Sequence, residues 1–136
     1  RDLRATLYEF RRTHGFGRGI SAIQIGIPLR VIYIEFEGAA WPLLNPEWEW
    51  VSPEKFTLWD DCFSFPELMV RVERSGAVRL RYQGWDGRGL TLEGRSALAE
   101  LLQHEMDHLD GILAVDRAIG RDSLATRAEY LRRPRR

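Results

Sequence analysis

The most regular pattern of apolar and polar positions in this chain lies in its last third. Leu98, Leu101, Leu102, Glu105 and Leu109 fall along one side of a helix that Ser96 opens as N-cap and Gly111 ends. A second helix is predicted over residues 1–13, where Leu3, Leu7 and Phe10 recur between Arg and Glu residues. Between them the period changes to two. Residues 29–36 are a compact β-branched and aromatic run that predicts a strand. Residues 41–44 and 47–51 read as two short strands separated by Asn45-Pro46, the latter alternating Trp48 and Trp50 with Glu47 and Glu49. Residues 52–66 show no period and are expected to be irregular. Strands follow at 70–74, 77–85 and 90–93, with Asp86-Gly87 and Gly89 turning a hairpin between the last two. A short strand at 112–115 and a terminal helix over 121–133 complete the set. The expectation is an α+β fold, with short antiparallel strands packed around the Ser96-capped helix and a C-terminal helix beside them.

Composition narrows the class. The 136 residues are expected to form one domain, 1–136, large enough for an apolar core. Twenty basic residues balance twenty acidic ones, which argues against DNA as a partner, and no apolar run reaches the length of a membrane span. A lone cysteine, Cys62, permits no intramolecular disulfide and points to a reducing compartment, the cytoplasm. The chain starts at Arg1 rather than Met, which leaves room for a preceding segment.

The main helix carries the candidate chemistry, His104-Glu105-Met106-Asp107-His108, an H-E-x-x-H pattern. Residues at i and i+4 stand one above the other, so His104 and His108 can reach one cation. Glu105 is rotated about 100° away, where a base acting on water belongs. The apolar stripe beside the histidines turns them toward the interior, where a cation satisfies both rings. The motif does not continue as in metzincins, because the position for their third histidine is Ala114. Glu129, from a later helix, and Cys62, which with two imidazoles leaves a fourth position open, both remain as third ligands. His14 follows the first helix and suits its C-terminal dipole. Gly17 and Gly19 lack the third glycine of a dinucleotide loop and instead allow close backbone approach. Gln24, in an apolar stretch, is either a bonded core amide or a donor aimed at a substrate carbonyl.

Three motifs in order and at matching separations resemble those of the peptide deformylases. Gly17-Arg18-Gly19-Ile20-Ser21-Ala22-Ile23-Gln24 resembles G-x-G-x-A-A-x-Q, Asp60-Asp61-Cys62-Phe63-Ser64 resembles E-G-C-L-S, and His104 to His108, followed by Leu109-Asp110-Gly111, resembles H-E-x-D-H. The resemblance implies a hydrolase that removes the formyl group from N-terminal formylmethionine and releases formate. Cys62, His104 and His108 would hold a divalent metal, Fe(II) in many relatives, with Zn(II), Ni(II) or Co(II) also suited to those donors. Glu105 would be general base and acid, and Gln24 with the Phe63 N–H would face the developing oxyanion. Gly17, Gly19 and Ile20 would line the approach of the substrate backbone, and Phe63 with the metal helix would shape the methionine pocket. The implied partners are N-formylmethionyl peptides and the ribosome, met by a monomer.

The chain departs from the pattern at several positions. Asp61 replaces the glycine before the cysteine, Asp60 is shorter than the usual Glu, and Met69 stands where many members have an Arg. The family also has some two dozen residues before the first helix, so a segment is expected to be missing. The Arg132-Arg133-Pro134-Arg135-Arg136 end suits ribosomal RNA or solvent. Rival readings are an amidohydrolase acting on another formamide, an inactive metal-binding relative, and a small protease using Glu129.

Overall fold

Strand formation starts where β-branched and aromatic side chains cluster. In the computed structural model, which describes residues 2–14, 18–62 and 64–132 and leaves the side chains of His14 and Cys62 undescribed, the run Val31–Phe36 is β2. It pairs on one side with β1 (Gly19–Ser21) and on the other with β3 (Ala39–Val51), both antiparallel. β3 continues to β6 (Ala77–Gln83) and then β7 (Gly89–Arg95), so the five-stranded sheet runs β1-β2-β3-β6-β7. A second sheet has the order β4-β5-β8, from Lys55–Cys62, Phe65–Ser75 and Leu124–Thr126. α1 is Asp2–His14, α2 is Ala97–Leu109 and α3 is Arg127–Arg132.

α2 lies between the sheets and is buried on most of its circumference. Ala99, Leu101, Leu102, Met106 and Leu109 pack on Ile32, Ile34, Leu43, Val78 and Leu80 of the larger sheet, which forms the main core. The other side of α2 meets β5, where the Gln103 amide donates to the Ser75 carbonyl and accepts from the Ser75 N–H, at 2.9 and 2.8 Å. α1 covers a smaller cluster through Leu3 and Leu7 against Ile20, Ala22 and Tyr33.

Four expectations are corrected. Residues 41–44 and 47–51 belong to one strand, and Asn45-Pro46 is a bulge within it. Asn45 takes φ 49°, and the register passes from Leu44 opposite Gln83 to Glu47 opposite Arg81, three steps on one strand against two on the other. Most of the segment expected to be irregular is β4, whose alternation of Phe56, Leu58 and Asp60 was hidden because the third inward residue is an acid. Residues 112–115 give way to a 3₁₀ turn at Ala114–Arg117. The terminal helix is preceded by β8, which pairs with β5, so α3 is shorter than the pattern suggested. At the start of α2, Ser96 is held at φ 51° and makes no side-chain cap, and its backbone N–H donates to the Gly76 carbonyl. Gly111, at φ 75°, follows the helix end as expected and donates its N–H to the His108 carbonyl.

Candidate metal centre

His104 and His108 are buried, and their Nε2 atoms converge to 2.9 Å. Two imidazoles facing each other edge to face at this distance direct two nitrogen donors at one point. The donor set therefore fits a divalent cation, since a soft-to-borderline metal takes neutral Nε2 lone pairs. His104 is oriented from behind: its Nδ1 lies 2.6 Å from Asp60 Oδ2, and Asp60 also accepts from Arg74 at 3.2 Å. Burial would raise the Asp60 carboxyl, but the adjoining His104 ring and the Arg74 guanidinium hold it well below the ordinary carboxylate range. An ionised Asp60 fixes the proton of His104 on Nδ1 and leaves Nε2 as a donor to a metal. Arg74 also donates to Asp107 at 2.7 Å, and Arg117 grips the same Asp107, so the motif aspartate ties α2 to β5.

Glu105 is buried, with Oε1 at 4.0 Å from His104 Nε2 and Oε2 accepting a hydrogen bond from the Ser21 hydroxyl at 3.1 Å. Ser21 belongs to β1, and β1 lies close to α2 because of Gly19. A Cβ on Gly19 would meet Leu101 Cδ1 at 3.1 Å, Ile34 Cγ2 at 3.1 Å and Glu105 Cγ at 3.2 Å. The close approach expected of this glycine is thus to the helix of the two histidines. The Ile20 side chain turns into the α1 cluster, which leaves only its backbone on the edge strand. Gln24 accepts from the Ser21 N–H at 2.9 Å and donates through Nε2 to the Ser64 hydroxyl at 2.9 Å, linking β1 to the residue before β5.

The backbone of Cys62 closes β4 opposite Phe65, just past a register irregularity. Its side chain, together with Gly17 and Phe63, lies outside the described residues. The loop around Cys62 is held by Arg127 at the start of α3, which donates to Asp61 Oδ2 at 2.7 Å and to the Pro66 carbonyl at 2.7 Å. The charge that Asp61 brings is matched there, and Asp61 is not among the residues at positive φ, so its backbone asks for no glycine. Met69 is buried opposite Ala125 of β8. Among the described residues, two groups bring donor atoms within 4.8 Å of one another, His104-Glu105-His108 and Asp60-Glu100-His104. Glu129 is in neither and pairs with Arg132 on α3.

The pattern of the sequence did not single out Glu100, Arg18 or Arg74. Glu100 is buried one helical turn before His104, with its carboxyl pushed up to about 8 by burial and by neighbouring Asp60. Arg18 donates to Glu100 Oε2 at 2.7 Å. One signal was available for Arg74: it shares the inward face of β5 with Val70 and Val72, where a lone arginine calls for a buried partner.

Residues 1–123 match the family model described as polypeptide deformylase. A peptide deformylase of Bartonella tribocorum is 40% identical over 122 residues, which cover 85% of this chain and 66% of that protein. The chain therefore spans about two thirds of the length of that relative. A protein of Brucella melitensis named peptide deformylase-like is 42% identical, with 86% of this chain and 74% of that one covered. Among solved structures, the peptide deformylase of Synechococcus elongatus in complex with actinonin superposes with a TM-score of 0.78 at 32% identity, covering 89% of this chain and 70% of that chain. That of Thermotoga maritima gives 0.77 at 33% identity, covering 88% and 82%.

Proposed function

Because this chain belongs to the polypeptide deformylase family, we propose that it is a metal-dependent hydrolase of N-formyl peptides, acting on the formylmethionyl N-terminus and releasing formate. The observation that carries this reading is the convergence of His104 Nε2 and His108 Nε2 at 2.9 Å with the Glu105 carboxylate 4.0 Å from one of them. His104, His108 and Cys62 are the proposed ligands. A divalent cation held there supplies Lewis acidity, lowering the pKa of water and polarising a carbonyl.

The chain's own residues do the rest. Glu105, whose Oε2 accepts from the Ser21 hydroxyl, is the group proposed to take a proton from the attacking water and later return it to the departing amine. Gln24 and the Phe63 N–H are the proposed donors to charge developing on the formyl oxygen, and the Gln24 amide donates to the hydroxyl of Ser64, two residues past Cys62. β1 is an edge strand of its sheet, so an extended substrate can lie along Gly17, Gly19 and Ile20 with its reacting end toward Ser21 and Glu105. Fe(II) is the proposed metal, with Zn(II), Ni(II) and Co(II) as substitutes that the same nitrogen and sulfur donors accept. The proposed setting is the cytoplasm, on chains leaving the ribosome, with the protein acting as a monomer. No described helix is long and apolar enough to cross a membrane.

The test is formate release from formyl-Met-Ala-Ser by protein loaded anaerobically with Fe(II). Turnover is expected, with a loss of at least about 100-fold in Glu105→Gln. Protein that holds one metal per chain yet releases no formate would overturn the reading.

A further inference from the structure

Taking deformylation as its basis, we infer that Ser21 is a positioning residue for the proposed base. Its hydroxyl sets the orientation of the Glu105 carboxylate while its backbone N–H sets that of the Gln24 amide. One residue of β1 thus holds the proposed base and the proposed oxyanion donor in a common frame.

Ser21 is fully buried, and a buried hydroxyl finds its partner within the protein. Two acceptors are in reach, Glu105 Oε2 at 3.1 Å and Gln24 Oε1 at 3.3 Å. A serine hydroxyl has a single hydrogen to donate. The carboxylate is the nearer acceptor and, when ionised, the stronger one, and Gln24 Oε1 already accepts from the Ser21 N–H at 2.9 Å. The hydroxyl therefore serves Glu105.

The same strand also bounds the stem of Glu105. Gly19 and Ser21 are two residues apart and face the same side of β1, while Ile20 between them turns into the α1 cluster. A Cβ on Gly19 would meet Glu105 Cγ at 3.2 Å, so the glutamate stem lies against Gly19 and its head against Ser21. Contact along the stem does not fix the terminal torsion of a glutamate, which is broad by nature. A hydrogen bond to one carboxylate oxygen does. On the other side of Ser21, a backbone N–H can only donate, so the Gln24 oxygen must face it. The Gln24 nitrogen is thereby turned away, toward the Ser64 hydroxyl at 2.9 Å.

Ser21 stands at the first alanine position of the G-x-G-x-A-A-x-Q pattern. Either residue supplies the N–H that orients Gln24, but only serine supplies the bond to Glu105. The contribution of the hydroxyl is therefore separable from that of the backbone.

The experiment measures kcat and KM on formyl-Met-Ala-Ser for the parent chain, Ser21→Ala, Glu105→Gln and the double variant, each loaded with one metal per chain. In Ser21→Ala, kcat is expected to fall about tenfold with KM within about twofold of the parent value, because a carboxylate free to rotate is less often aligned. In Glu105→Gln protein the same change is expected to alter the residual rate by less than about twofold, since the group it positions is already gone. A Ser21→Ala kcat within about twofold of the parent overturns the inference, and so does an equal loss in both backgrounds, which would mark a packing role. Should the parent chain release no formate, the deformylation reading fails by itself. Urea midpoints of the parent, Ser21→Ala, Glu105→Leu and their double variant then decide the contact separately: shifts that fail to add support it, and shifts that simply add overturn it.

Discussion

At the residue scale, Asp60 carries more of the site than its place in a degenerate motif suggests. It sits 2.6 Å from His104 Nδ1 and is itself held by Arg74, so it sets both the tautomer and the angle of a proposed metal ligand. Asp60→Asn is expected to weaken metal binding about 10- to 100-fold, because an amide orients the ring without stabilising charge on it. Competition against a chromogenic chelator measures this, and unchanged affinity would remove Asp60 from the role. The same reasoning separates the legible residues from the hidden ones. His104, Glu105 and His108 are contiguous in sequence, and a helix brings them to one face by its own geometry. Asp60 was visible only as a motif letter and Glu100 as an ordinary helix acid. Two of their partners, His104 for Asp60 and Arg18 for Glu100, lie 44 and 82 residues away, so no local pattern records the pairing.

At the scale of elements, the apolar contact of α1 with the sheet is accompanied by a half-buried polar link. Arg11 of α1 donates to Glu35 of β2, and the Tyr33 hydroxyl donates to the same carboxylate. Burial pulls the Glu35 carboxyl upward, but the Tyr33 hydroxyl and the Arg11 guanidinium outweigh it and hold the group below its ordinary 4.5. The Tyr33 hydroxyl is pushed up to about 12, by burial first and by Glu35 second. A carboxyl lowered in the folded state contributes stability that is complete above 4.5 and is lost as pH falls through the lower folded value. Urea midpoints measured downward from pH 5 should therefore fall less steeply in Glu35→Gln than in the parent chain. An identical acid limb in both would show that the link adds nothing to folding. Element boundaries were harder to read than element types. β4 escaped because its inward row ends in Asp60, and β3 was divided in two because Asn45-Pro46 resembles a turn until β6 is seen to accept the bulge.

At the scale of the whole molecule, α2 is held between two sheets that contribute different things. The five-stranded sheet buries its leucines, while β4 and β5 supply Asp60 and Arg74 to its polar side. A metal bridging His104 and His108 to Cys62 would join α2 to β4, and binding energy becomes folding energy when the unfolded chain lacks the site. Saturation at 100 times Kd adds about 2.7 kcal/mol, or roughly 10 °C in Tm for a chain of this size. Calorimetric scans with Zn(II) and with chelator should show that difference, and Cys62→Ser should reduce it. Equal Tm values under both conditions would mean that the cation does not tie the two parts together.

What the sequence by itself determined is whatever depends on neighbours along the chain. The α+β class, the strands at β2 and β6, the helix of His104 and His108 and its Gly111 stop follow from residue spacing and local backbone preference. Family membership was legible for a similar reason, since three short motifs keep their order and separation. Only the tertiary structure decided that Gly19 packs on the helix of the histidines, that Arg127 pairs with Asp61 next to Cys62, and that a buried Glu100 near His104 accepts from the exposed Arg18. These contacts join residues far apart in sequence. Their partners are selected by burial, where an unpaired charge or a single misplaced methyl costs more than any local propensity supplies.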